Sequence, residues 1–302
     1  MLWHKAMNLR NSENISILQT MLKEFSLLID EFSIIQINKR NKLKPLQIVS
    51  NNLLKRTQIN REALILLLEN YKLKRSAILP IGLLIRSILS DFITFCYLSS
   101  FSDKNDVDEI SIQNELKLLE RDYLMAMIEV GEIEGNIHQY NKNIPTKFKN
   151  REAYELALND VKELYKHLYK GENPQNDLKE PKELRATSFT EFFDSKEEFE
   201  KPHNFITEKY KWKRMIKRGF SKYVIVFTAF KFFSQFQHYS PDSAILTREI
   251  TEPHAFFHLL MAFDSMIIVT HMQFQVIDGK ESKYLPRLRE IEKTLDNIIG
   301  KD

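Results

Sequence analysis

The sequence predicts an all-α fold, a helical array or bundle of about nine or ten helices. Only 7 of its 302 residues are Gly, and an average protein has roughly 7%. Gly supplies the positive-φ turns that hairpins and phosphate-cradling loops need. Apolar residues also recur at spacings of three and four, the period of an amphipathic helix rather than a strand. An all-β sandwich and a Gly-rich nucleotide-binding fold are therefore disfavoured.

The helices follow from local signals taken in chain order. Leu18, Leu22 and Phe25 belong to the three-and-four spacing of the first helix. Pro45 opens the second, because the N–H that it lacks has no intrahelical partner at that position. Asn60 is a candidate N-cap that separates the second helix from the third. The predicted ranges are 12–38, 45–56, 61–72, 77–99, 110–140, 151–169, 204–217, 221–238, 251–277 and 283–299.

Two of these helices have unusual compositions. The helix over 77–99 is apolar and long enough to cross a bilayer, but Arg86 and Asp91 lie near its middle. Each charge costs about 2.5–3.5 kcal/mol at the bilayer centre, so we interpret it as a buried core helix and expect no membrane association. The helix over 110–140 contains Gly131 and Gly135, which weaken the prediction that it is continuous.

A change of composition divides the predicted helices. Residues 170–203 are rich in Pro, Asn and alternating charge, which indicates a linker or a surface excursion. We therefore expect one unit over 1–302 with a polar excursion at 170–203. The alternative is two helical subdomains, 1–169 and 204–302. Residues 76–203 hold 24 acidic and 16 basic side chains, an excess that we interpret as the solvated face of helix 110–140 and of the excursion.

The densest basic cluster is interleaved with Tyr210, Trp212 and Tyr223. Cations that neutralise phosphates, together with aromatic rings that stack on bases, are what single-stranded RNA recognition requires. The alternative is an ordinary amphipathic surface helix, because Trp212, Met215 and Ile216 fall near one face. The candidate anion-binding residues are Lys209, Lys211, Lys213, Arg214, Lys217, Arg218 and Lys222.

Other polar residues are candidates for buried structural or functional roles, namely Arg86, Asp91 and His238. Arg86 and Asp91 are five positions apart and do not share a helix face, so each needs a partner elsewhere. His254 and His258 have a one-turn spacing, but no third ligand converges on them and no Glu lies between them. The sequence thus predicts neither a metal site nor a cofactor, and its one Cys excludes a disulfide scaffold.

Two segments resemble helical proteins related to the HEPN superfamily. One is the apolar helix with Arg86, which runs on to Leu98, and the other is the aromatic helix that ends in Ser234-x-x-x-His238. The superfamily includes toxin and phage-defence RNases, whose signature is an Arg followed by a His after four to six residues. The resemblance thus implies a HEPN-like helical core. It also makes Arg248 and His254 the catalytic candidates, a spacing that chance produces about once in such a sequence.

The leading functional hypothesis is a non-catalytic binding or assembly protein with a HEPN-like core, belonging to a defence or toxin system. It would act through a protein partner, a second copy or RNA, and no DNA-reading motif is present. One alternative is a metal-independent ribonuclease in which Arg248 stabilises the phosphate and His254 is general acid or base. Another is a pocket of Phe and Met side chains for an apolar ligand. No apolar segment precedes the first charges, so we expect a cytoplasmic protein.

Overall fold

A computed structural model describes residues 12–37, 43–71, 78–102, 108–140, 151–184, 208–234, 252–279 and 282–299. Within these ranges the chain forms ten α-helices and no strand, which confirms the predicted all-α fold. The helices are α1 Ser12–Ile37, α2 Pro45–Tyr71, α3 Ile78–Ser99, α4 Glu109–Tyr140, α5 Arg151–Leu164, α6 Pro181–Leu184, α7 Glu208–Lys217, α8 Val224–Ser234, α9 Glu252–Asp278 and α10 Leu285–Ile299.

The predicted break near Asn60 is wrong, because α2 is one continuous helix. After Pro45 its sequence contains neither Gly nor Pro, so nothing interrupts the backbone ladder. Thr57, Arg61 and Leu64 are buried on one face across the expected boundary. A continuous buried face thus outweighs the capping preference of a single Asn.

The predicted helix over 151–169 ends early, at Leu164. The chain continues in two short 3₁₀ helices, Lys166–Leu168 and Lys170–Glu172. A 3₁₀ turn, Ser221–Tyr223, likewise precedes α8. Residues 185–207 and 235–250 lie outside the described residues, and so do the corresponding parts of the predicted elements.

Contacts in space between residues divide the chain into two compact units. One combines Met1–Asp106 with Glu208–Asp302, and the other is Val107–Thr207. The division therefore falls near 107 and 207, whereas the composition changes at 170 and 203. The first unit is built from two stretches that are far apart in sequence.

In the first unit, α3 and α9 have the most helix neighbours among the described elements. Each contacts the other as well as α2 and α8, α3 also contacts α7, and α9 also contacts α10. The sequence explains this position, because a helix that is apolar on all sides must be buried on all sides. Helix α1 completes the unit on α2 and α10. The rings of Phe25 and Phe263 meet edge to face at 5.8 Å between α1 and α9, and those of Phe32 and Phe274 stack at 4.1 Å.

The two central helices also have the length and hydropathy of membrane spans. The qualifying segments are Leu79–Ser99 and Phe257–Asp278, and 67% of each is buried inside the protein. Core helices of soluble proteins meet the same criteria, so length and hydropathy do not decide between the two environments.

The second unit is organised by the contact between α4 and α5. A Cβ built on Gly131 of α4 would lie 2.4 Å from Cε2 of Tyr154 on α5, whose side chain is buried. Helix α4 is continuous through both of its glycines. Gly131 is therefore the place where the Tyr154 ring approaches the α4 backbone, not a break in the helix.

The start of the predicted polar excursion is folded within this unit. Lys170 N donates to the carbonyl of Asp177 at 3.0 Å, and Lys179 N donates to that of Leu168 at 2.8 Å. Gly171 allows the reversal between them with a left-handed φ of 63°. Arg121 of α4 then donates through Nε to the Lys179 carbonyl at 2.8 Å. Residues 165–180 are thus held together by their own backbone hydrogen bonds and are attached to α4 through the side chain of Arg121.

Candidate functional site

The predicted basic cluster lies mainly on α7, and burial divides it. Lys211 and Arg214 are only 6% and 1% exposed, whereas Lys209, Lys217 and Arg218 are exposed. The side chain of Lys222 lies outside the described residues. Two of the predicted anion-binding residues therefore belong to the interior of the first unit.

Arg214 attaches α7 to the end of α3. Its Nε donates to Ser100 Oγ at 2.9 Å, and Ser100 Oγ donates to the carbonyl of Tyr97 at 2.6 Å. Its guanidinium carbon lies 3.7 Å from the centre of the Phe101 ring. A buried Arg is stabilised by such hydrogen bonds and by the electron-rich ring face. Its role here is structural.

Lys211 makes a second polar contact between the same helices, and its charge acts on Asp91 of α3. Lys211 Nζ donates to Thr94 Oγ1 at 3.0 Å, and Asp91 Oδ2 lies 3.0 Å from Nε of Arg56 on α2. Burial raises the pKa of Asp91 to about 6, although Arg56 and Lys211 act in the opposite direction. The two cations balance a carboxylate that the apolar helix α3 would otherwise bury alone.

A third contact joins α3 and α7, because Ser90 Oγ donates to Glu208 Oε1 at 3.2 Å. We call the contacts of Glu208, Lys211 and Arg214 with α3 and its C-terminal end the α3–α7 seam. The contacts of Glu208, Lys211 and Arg214 follow one another in the same order along both helices, so α3 and α7 run in the same direction. These contacts hold α7, a short helix of strongly polar sequence, onto the apolar helix α3. The polar side chains of the seam are occupied by hydrogen bonds between α7 and α3 or its C-terminal end.

Arg86 lies on a different side of α3 from Asp91, as their spacing predicts. It is half-buried, and its guanidinium carbon is 5.4 Å from the centre of the Phe230 ring on α8. The two charged residues of α3 thus contact different helices.

The described residues do not test the catalytic pair. Arg248 and His238 lie outside them, and so does the side chain of His254, although its backbone is part of α9. Among the described residues, no three His, Cys, Asp or Glu side chains are placed to hold a metal ion. The ribonuclease hypothesis therefore stays a prediction from sequence.

A cavity lined by Leu, Ile, Met and Phe side chains lies between α1, α2, α3 and α9. Its volume is about 10 Å³, roughly the space that one water molecule needs. Met266 and Phe263 are part of its wall. This void does not admit the apolar ligand that the third hypothesis requires.

Arg61 is a buried cation that sequence reasoning missed. It is fully buried on α2, lies 4.6 Å above the Phe25 ring and donates to Gln58 Oε1, while Gln58 Nε2 donates to Asp30 Oδ1 at 2.7 Å. Loss of hydration lowers the pKa of Arg61 to about 9, although nearby carboxylates such as that of Asp30 oppose the shift. The boundary predicted at Asn60 placed Arg61 in the first turn of a helix, where an Arg side chain is ordinarily solvated. The sequence therefore did not indicate that Arg61 is buried.

Helix α4 carries an apolar stripe on its solvent side, and this feature was also missed. We define the α4 stripe as Tyr123, Ala126, Val130 and Ile133. All four are exposed, the three large side chains by 58%, 56% and 55%. At 100° per residue they fall within a sector of about 80°. They form a single row about 15 Å long.

The opposite side of the same helix is packed. Leu118, Arg121, Leu124 and Gly131 are buried there, in a sector centred about 180° from the α4 stripe. Packing among the described residues of the second unit therefore does not account for the stripe. The sequence did contain a signal for the stripe, because α4 has apolar residues on two opposite sides. We did not recognise it, because we interpreted the acidic residues between these two sides as part of a solvated face.

Comparison of the chain with protein-family models, curated proteins and solved structures finds no match. Function therefore has to follow from the residues themselves.

Proposed function

We propose that this protein is a non-catalytic binding or assembly protein that docks a partner on the α4 stripe. The observation that carries the proposal is a row of exposed Tyr, Val and Ile side chains on a helix whose other side is already packed. Exposed apolar rows of this kind mark interaction surfaces in soluble proteins. Burying them against a partner is favourable because it removes apolar area from water.

Two other candidate sites among the described residues are already filled, which supports this choice. In the α3–α7 seam, Lys211 and Arg214 form hydrogen bonds within the first unit. The cavity between α1, α2, α3 and α9 has a volume of only about 10 Å³. A ribonuclease would need Arg248 and His254 at one site. With the HEPN resemblance, the proposal makes the chain a catalytically inactive relative of those RNases.

Photo-crosslinking in cells that express the chain tests the proposal. The crosslinking amino acid p-benzoylphenylalanine replaces Tyr123 in one variant and Ile59 in the control, because Ile59 is 68% exposed on α2 of the other unit. We expect one discrete adduct at position 123 and none at position 59. The additional change Val130→Glu should remove the adduct, and the purified partner should bind the purified chain.

Two results would contradict the proposal. One is the absence of an adduct at position 123, or the same adducts at both positions. The other is cleavage of a generic RNA by the purified chain that His254→Ala abolishes without unfolding the protein. The second result would establish the ribonuclease instead.

A further inference from the structure

We draw no further inference here: the strongest candidate, the cleft of about 450 Å³ between α1 and α10, carries nothing because its polar residues, Glu24, Arg287, Glu290 and Thr294, are all exposed and nothing in the described part of the chain shows what binds there.

Discussion

Asp91 is a carboxylate inside an apolar helix, and its environment determines its titration. Burial raises its pKa from 3.8 to about 6, against the opposing effects of Arg56 and Lys211. Sequence reasoning recognised that Asp91 needs a partner elsewhere, because Arg86 cannot share its helix face. It could not identify Arg56 or Lys211, because pairs between helices leave no trace in local spacing.

The variant Asp91→Asn tests this environment through pH. A carboxylate whose folded pKa exceeds its unfolded value contributes stability that is complete below the unfolded pKa and is lost as pH rises through the folded pKa. The wild type should therefore gain stability relative to Asp91→Asn as pH falls from 7 to 4. A shift of about two units corresponds to about 3 kcal/mol. Urea unfolding at several pH values measures this difference.

The matched control is Asp160→Asn, which makes the same substitution at an exposed carboxylate of α5. If the stability differences of the two variants from the wild type follow pH in the same way, Asp91 is not the buried group described here. Native CD spectra at pH 4 and 7 verify that each protein remains folded over the range.

At the level of elements, Gly131 shows how local preference and packing compete. Replacing Gly by Ala inside a helix ordinarily stabilises it by up to about 1 kcal/mol. At this position the added Cβ would lie 2.4 Å from the buried Tyr154 ring. We therefore expect Gly131→Ala to destabilise the protein by about 1–3 kcal/mol, as measured by urea unfolding.

The background variant Tyr154→Ala provides the control for this effect. Once the ring is removed, Gly131→Ala should become neutral or stabilising, because only the helix preference remains. A stabilising effect of Gly131→Ala in both backgrounds would show that the α4–α5 contact is looser than described.

Helix positions were largely predictable because their signals are local. The three-and-four spacing around Leu18 and Leu22 and the start at Pro45 required only short windows of sequence. The errors arose where tertiary contacts override such signals. Thr57 and Arg61 are buried across the expected break at Asn60, and Arg214 of the polar helix α7 points inward because Ser100 and Phe101 receive it.

At the scale of the whole molecule, the first unit joins two distant stretches of chain around α3 and α9. This arrangement was not predictable from composition, because α7 returns to α3 through the contacts of Lys211 and Arg214, not through an apolar pattern. The candidate site was missed for a related reason. Tyr123 and Val130 were predicted within a helix, but only burial distinguishes their side of α4 from the side of Leu124.

The central claim is that the α4 stripe docks a partner, and methyl NMR of the full-length chain tests it most directly. The chain is titrated with the purified partner that crosslinks to position 123. We expect the methyl resonances of Ala126, Val130 and Ile133 to shift, while those of Ile59 and Ile216, exposed on α2 and α7, stay in place. Shifts confined to Ile59 or Ile216, or binding without any shift in the stripe, would contradict the account.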